Sequence, residues 1–309
     1  KEAYKLMIDN VTIAEKIINK SNKKKIKQLK NPSLKLNASD IAPVIRGLLT
    51  DDKSNKTFII NHRINDDIKT FMNGVDVNRY SQVGTITPDH VIRIKPYPLI
   101  IDLKDNANID SFHKIAKTSI KKYVEKYKSY YKKYSKGKNL TMLDPYPRII
   151  YVKGMGMFSV GDNYKSSIIA GDLAETNARV IASIEKSTKY KTISEKDIFD
   201  IEYWSLEQAK LNKKNKLLEG KIVAITGSTG TIGYETYKIF TEQGAEVVLI
   251  DCNKEQISKI QSSIPNLCLY ADVTKRENVQ KVFKVICERF GGIDILISNA
   301  GSVSDGPIA

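Results

Sequence analysis

KIVAITGSTGTIGYETYKIFTEQGAEVVLID, residues 221–251, is the stretch whose reading decides the fold. It opens with an apolar, β-branched run at 222–225, the length of a buried strand. Thr226-Gly227-Ser228-Thr229-Gly230-Thr231-Ile232-Gly233 follows. A helical pattern over 234–243 is closed by Gly244 at a C′ position. A second apolar strand, 247–250, ends on Asp251. Strand, glycine turn, helix, strand and acid stand in the order a dinucleotide site requires.

Each part has a physical task. Gly227 turns the chain where a side chain would force strain. Gly230 lets backbone approach a pyrophosphate, and Gly233 lets the helix lie close to the sheet. Ser228, Thr229, Thr231 and Ile232 complete the loop. The helix N-terminus offers unpaired N–H groups and the positive end of a dipole to the phosphates. Asp251 stands 18 residues after Gly233 and can accept hydrogen bonds from ribose hydroxyls. Its charge would repel a 2′-phosphate, which favours NAD over NADP.

Two further motifs lie downstream. Asp272-Val273 follows the next apolar strand, and Asn299-Ala300-Gly301 follows the apolar stretch 293–298. With Thr226-Gly227 they resemble the short-chain dehydrogenase/reductase superfamily. The resemblance implies a doubly wound parallel sheet of Rossmann type. It implies that Asp272 meets the adenine amino group, and that Asn299, Ala300 and Gly301 stabilise the sheet and line the cofactor. Thr231 and Gly230 depart from the usual short-chain glycine spacing and come closer to the extended branch, so the subclass stays open. The family's catalytic Ser and its Tyr-x-x-x-Lys pair would lie beyond Ala309, so no catalytic residue is assigned here. The chain begins at Lys1 without Met and is read as a fragment cut at both ends.

A length of 309 residues suggests about two domains. The charge is uneven: from Gly220 onward there are 9 basic and 10 acidic residues, against 41 and 25 before it. A basic half could meet nucleic acid, a membrane surface or phosphorylated substrates. Lys far outnumbers Arg, as AT-rich coding produces, and no nucleic-acid motif accompanies it, so specific nucleic-acid binding is not expected. Cys252, Cys268 and Cys287 show no metal or redox spacing, which points to a reducing cytoplasm. No apolar run approaches the ~20 residues of a membrane span.

Upstream, 2–18 carries apolar positions at helical spacing and is expected to be an amphipathic helix with a wide buried face. A Lys-rich stretch over 19–30, a short helix from Ser39-Asp40, a strand at 57–60 and a helix at 66–71 follow. Thr87-Pro88-Asp89-His90-Val91-Ile92-Arg93 reads as a turn. His90 and Arg93 could face an anion or carbonyl together, or His90 could cap the turn while Arg93 pairs with an acid. His62 and His113 lack partners at ligand spacing. The tyrosines of 111–135 form a packing stripe with Lys around it. Strands at 148–152 and up to Gly161, a helix over 164–185 and a single helix over 198–211 complete the region. The last contains Trp204, expected to pack between domains.

Thr87 to Arg93, Gly154-Met155-Gly156-Met157-Phe158 and above all FDIEYWSLEQAKL, residues 199–211, resemble the bifunctional aldolase/short-chain dehydrogenase family, which includes rhamnulose-1-phosphate aldolase/alcohol dehydrogenase fusions. The resemblance implies an α/β fold in which a class II aldolase-like region precedes a partial Rossmann domain. It implies residues 1–30 as the tail helix of a truncated class II aldolase/adducin-like unit and 38–211 as an α/β aldolase-associated domain. Residues 212–219 become a linker and 220–309 the start of an NAD-binding domain. Zinc would be held by three His of the missing N-terminal part, and no metal ligand is carried onto this sequence. The implied function joins a zinc-dependent sugar-phosphate aldolase to an NAD-dependent alcohol or aldehyde dehydrogenase, in a cytoplasmic homo-oligomer without membrane or nucleic-acid partner. The competing reading is a non-catalytic NAD-binding protein with a basic interaction module.

Overall fold

The computed structural model describes residues 2–21, 25–50, 56–209 and 216–301. The first part runs α1 (Glu2–Ser21), α2 (Ala38–Leu48), β1 (Ile59–Arg63), α3 (Asp66–Met72), α4 (Val77–Tyr80), α5 (Pro88–Ile94) and β2 (Leu99–Ile101). It continues through α6 (Ile109–Tyr134), β3 (Ile149–Val152), β4 (Gly156–Gly161), α7 (Tyr164–Glu185), α8 (Glu195–Glu202) and α9 (Ser205–Ala209). The second part is β5 (Ile222–Thr226), α10 (Thr231–Glu242), β6 (Glu246–Asp251), α11 (Lys254–Ser263), β7 (Leu267–Tyr270), α12 (Arg276–Phe290) and β8 (Ile295–Ile297).

Each part is an α/β layer structure. The first sheet has the order β1-β4-β3-β2; β2 and β3 are parallel, the other pairs antiparallel. Successive residues of β3 alternate faces, as strand geometry dictates. Ile150 and Val152 join Phe112, Tyr127 and Phe199 on one face, while Ile149 and Tyr151 join Phe71, Ala174 and Ile181 on the other. The tyrosine stripe of α6 is therefore core, with Tyr123, Tyr127 and Tyr130 buried.

The second sheet is wholly parallel, in the order β7-β6-β5-β8. Both faces of β5 are covered, so Ile222 to Ile225 are all fully buried. Each such Val or Ile contributes roughly 1.5–3 kcal/mol of burial. Ile222 and Ala224 pack with α12, and Val223 and Ile225 with α10 and α11.

The two parts meet at the N-terminal ends of the parallel strands. The Asn163 amide donates to Glu219 (2.9 Å), and the Tyr164 backbone N–H to Glu246 at the start of β6 (2.7 Å). Arg46 of α2 reaches the Gly220 carbonyl and the Asp294 carboxylate. Tyr164 packs on Phe290, and Ile59 enters the core beneath the parallel sheet.

Several local expectations need correction. All described side chains of α1 are exposed, Leu6, Val11 and Ile17 included, so the buried face expected for it is not buried here. Periodicity marks an apolar stripe but not what covers it. Thr87 to Arg93 is a helix start, because Pro88 sits at its first turn, where the missing N–H costs nothing. The single helix expected at 198–211 breaks after Glu202, whose freed carbonyl accepts from the Gln208 side chain. Trp204 is 52% exposed, so the packing between domains expected for it is not seen among the described residues. Residues 210–215, with most of the expected linker, lie outside the described residues.

Candidate functional site

A parallel sheet presents ligands at the C-terminal ends of its strands. There β5 runs into Gly227, whose φ of +62° is left-handed. A Cβ on Gly227 would stand 2.8 Å from the Ala300 Cα, and one on Gly233 would stand 2.4 Å from the Gly227 carbonyl oxygen. Both positions therefore require glycine. At Gly230 a Cβ would meet only that carbonyl, at 3.4 Å. Gly230 is the N-cap of α10, so the space over the first turn of the helix is open, as a pyrophosphate requires. α10 begins at Thr231, which places Thr231, Ile232 and Gly233 in that turn, with Ile232 exposed.

Asp251 ends β6 beside this loop and is 8% exposed. Its Oδ2 accepts from the Thr229 amide and hydroxyl, both at 2.9 Å, and its Oδ1 accepts from the Asn253 amide at 2.9 Å. Burial alone would push the carboxyl up. Hydrogen bonds from Thr229, Asn253 and Cys252 outweigh it and hold the group below the usual carboxylate range. Asp251 is thus an anion clamped to the loop. Bonds from the Thr229 amide and hydroxyl and the Asn253 amide use three of its roughly four acceptor directions. Ser228 is fully buried, and its hydroxyl donates to the Ile250 carbonyl, tying the loop to β6.

A second clasp joins β5 to the segment after β8. The Asn299 amide donates to the carbonyls of Thr226 (3.1 Å) and Gly227 (2.9 Å). The Thr226 hydroxyl accepts from the backbone N–H groups of Asn299 and Ala300, each at 3.1 Å. Ala300 and Gly301 are exposed at the edge of the loop. Asp272 is half-buried; the Thr274 hydroxyl and amide donate to its Oδ1 and hold its carboxyl low. Val273 beside it is exposed. The structure gathers Gly227 to Gly233, Asp251, Asn299 and Ala300 at one end of one sheet. Sequence reasoning missed Thr226 and Asn253 as the groups that hold Asn299 and Asp251; a Thr directly before the glycine turn was the available signal.

Elsewhere, His90 is buried with its Nδ1 2.7 Å from the Thr87 hydroxyl, so it closes the first turn of α5. Arg93 makes no ion pair among the described residues and lines a cavity that His90 does not reach, so the two do not converge. His62 stacks on Phe158 and bonds the Met155 carbonyl, and His113 is exposed on α6. Among the described residues no group of three or more His, Cys, Asp or Glu is placed to hold a metal. None of the described helices is long and apolar enough to cross a membrane. All three cysteines are free, and burial pushes the Cys268 thiol up to about 11.

Comparison with known proteins matches residues 36–211 to the family described as "Aldolase class II, second domain" and residues 221–309 to "short chain dehydrogenase". An uncharacterised oxidoreductase, YuxG of Bacillus subtilis, is 31% identical over 279 residues, covering 86% of this chain and 40% of the relative. Meso-2,3-butanediol dehydrogenase of Serratia marcescens is 35% identical over 86 residues, covering 27% of this chain and 34% of the relative. A solved glucose/ribitol-type short-chain dehydrogenase of Brucella melitensis aligns with 28% identity and a TM-score of 0.29, covering 30% of this chain and 42% of the other. The chain thus spans well under half the length of these relatives.

Proposed function

From the premise that the chain belongs to the family of class II aldolase second domains and carries a short-chain dehydrogenase unit behind it, we propose that it is part of an NAD-dependent oxidoreductase for a small alcohol or aldehyde. The observation that carries the reading is the clamped Asp251 at the end of β6, facing a glycine loop whose helix end is open. These residues fit a dinucleotide. Gly230 and the first turn of α10 would receive the pyrophosphate, Asp251 the adenosine ribose, Asp272 and Val273 the adenine, and Asn299, Ala300 and Gly301 the inner edge of the cofactor. Bound NAD would supply the hydride acceptor. The residues of this chain bind and orient it, and the acid/base group is assigned to the part of the dehydrogenase unit beyond Ala309.

The second half of the reading is a zinc-dependent aldolase for a sugar phosphate of the rhamnulose 1-phosphate kind, placed before residue 1. The reading places the zinc, with its three His, in that preceding unit. Residues 1–30, which include the helix α1, are assigned to its tail, 38–211 to the associated domain, 212–219 to the linker and 220–309 to the dehydrogenase start. A cytoplasmic homo-oligomer is part of the same reading. Calorimetric titration of the intact polypeptide with NAD and NADP, followed by NAD reduction with lactaldehyde, tests it. Saturable NAD binding with turnover supports the enzyme. Binding without turnover of any small alcohol or aldehyde favours a non-catalytic NAD-binding protein.

A further inference from the structure

Among the described residues two lysines are buried, Lys95 at 4% and Lys153 at 6% exposed. A buried ammonium forfeits its hydration and needs an anion in return. Lys153 has one, the Asp102 carboxylate at 2.7 Å. Lys95 forms no ion pair among the described residues. Its Nζ lies 3.7 Å from the Tyr127 ring centroid and donates to the Asp144 backbone carbonyl.

The acids that face Lys95 are engaged elsewhere. The Asp144 carboxylate pairs with Arg148 and stands 3.6 Å from Lys56. Glu202 accepts from the Tyr127 hydroxyl at 2.7 Å, and burial pushes its carboxyl up, toward the neutral form. Arg148 and Lys56 add positive charge around the Lys95 ammonium. The backbone at Lys95 is strained as well, with φ 63° and ψ 167°. Pro96 follows it and bars the helical alternative. Such strain persists only where the surroundings dictate it, and it concentrates at functional sites. Lys95 lines a cavity of about 630 Å³ between the end of α5, the N-terminus of α7 and the segment around Glu202. Its size is that of a small-molecule site. Lys165, exposed on α7, also lines it, so the cavity opens to solvent.

We propose that Lys95 is a covalent carbonyl-binding residue, whose amine captures a small aldehyde or ketone in this cavity as an imine. Desolvation, with other cations nearby, is how a lysine becomes a nucleophile near neutral pH. The nitrogen lone pair forms the bond to the carbonyl carbon while the C=O π pair moves to oxygen. That oxygen leaves as water with the two hydrogens of the amine, and a C=N bond remains. Nothing is oxidised or reduced. Neither half of the proposed enzyme uses such a bond: one is read as holding zinc, the other as passing a hydride. The site shares no residue with the glycine loop and stands apart from the dinucleotide reading.

Reductive trapping on the intact polypeptide at pH 7 tests it, with acetaldehyde as the probe, cyanoborohydride as the hydride donor and EDTA present. Hydride converts the imine to an N-ethyl amine, which peptide mapping by mass locates. At pH 7 the free-amine fraction of a group titrating at about 8 is roughly 300-fold that of an ordinary lysine. Lys95 should therefore be the first lysine side chain labelled, alongside only the α-amino group, which titrates in the same range. Lys153 and the surface lysines should follow far more slowly. Lys95→Met should lose the early side-chain label and keep the slow ones, with a ligand-free melting temperature no lower than wild type. Label spread evenly over the exposed lysines, or Lys95 left unmodified while they react, would overturn the proposal. So would an early label that survives in Lys95→Met. The wild-type map alone decides the matter should the variant not fold. NAD titration tests the dinucleotide reading separately, and that reading survives failure here.

Discussion

The Arg46 guanidinium grips the Asp294 carboxylate with two parallel hydrogen bonds, 3.0 and 2.7 Å long, across the boundary between the two sheets. The same guanidinium donates to the carbonyls of Phe58 (2.6 Å) and Gly220 (2.9 Å). Asp294 in turn accepts from the Ile222 amide at 2.7 Å, so the pair fixes the first residue of β5. Its side chains are 9% and 20% exposed, which keeps solvent screening small. Removing one partner strands the other. Arg46→Ala should cost about 3–5 kcal/mol. Urea unfolding should show it as an earlier loss of cooperativity between the two parts. A double-mutant cycle with Asp294→Ala isolates the pair; a coupling near zero would mean that packing alone joins the sheets.

Asp251 sets cofactor choice in the proposed enzyme. A 2′-phosphate against its carboxylate should cost roughly 2–3 kcal/mol, or about 30- to 150-fold in affinity for NADP relative to NAD. Because Asp251 also holds Thr229, Asp251→Ala should weaken NAD itself while relaxing the preference. Dissociation constants for both cofactors, on wild type and variant, decide this. An unchanged ratio would mean that Asp251 serves the loop only.

Asn299→Ala removes the donor that two carbonyls share, those of Thr226 and Gly227. The loss should be about 1–3 kcal/mol of stability. It should fall on the glycine loop first, so NAD affinity should drop before global melting does. Hydrogen exchange at residues 226–233 measures the loosening directly.

Lys95 gives a pH signature. Burial pushes its ammonium down to about 8 from the ordinary lysine value of 10.5, with Asp144 partly opposing the shift. Between those two values the unfolded chain holds a proton that the folded chain has released. Stability should therefore rise with pH across that window, by about 3 kcal/mol from this group. Lys95→Met should be more stable near pH 7 and should lose the rise. Urea midpoints for both proteins at pH 7.5, 9 and 10 test it. Parallel curves would mean that the folded Lys95 ammonium keeps the ordinary lysine range.

The glycine loop was legible in sequence because local rules fix every part of it. Two apolar runs make strands, and two glycines stand where any Cβ would collide. Asp251 was legible as the acid that ends the second strand but not as the loop's anchor, since its partner Thr229 lies 22 residues away. The Arg46–Asp294 pair, separated by 248 residues, left no local signal. Nor did the cavity, although Lys95 precedes Pro96, and a residue before proline is driven out of the helical region. α1 fails for the opposite reason: its stripe is plain, but a stripe does not name its partner.

The docking of the first part on the N-terminal ends of β5, β6 and β8 also governs traffic. The cavity reaches Glu219 and Asn163 at that end of β5, while the glycine loop leaves the other. Roughly 13 Å of strand, at about 3.3 Å per residue, separates the two ends. The parallel sheet itself is the wall between them, packed on both faces. Whatever the cavity holds is therefore kept from the dinucleotide end by the full depth of the sheet. In the proposed enzyme, covalent linkage would then secure equal copy number and nearness of the two ends rather than a direct passage between them.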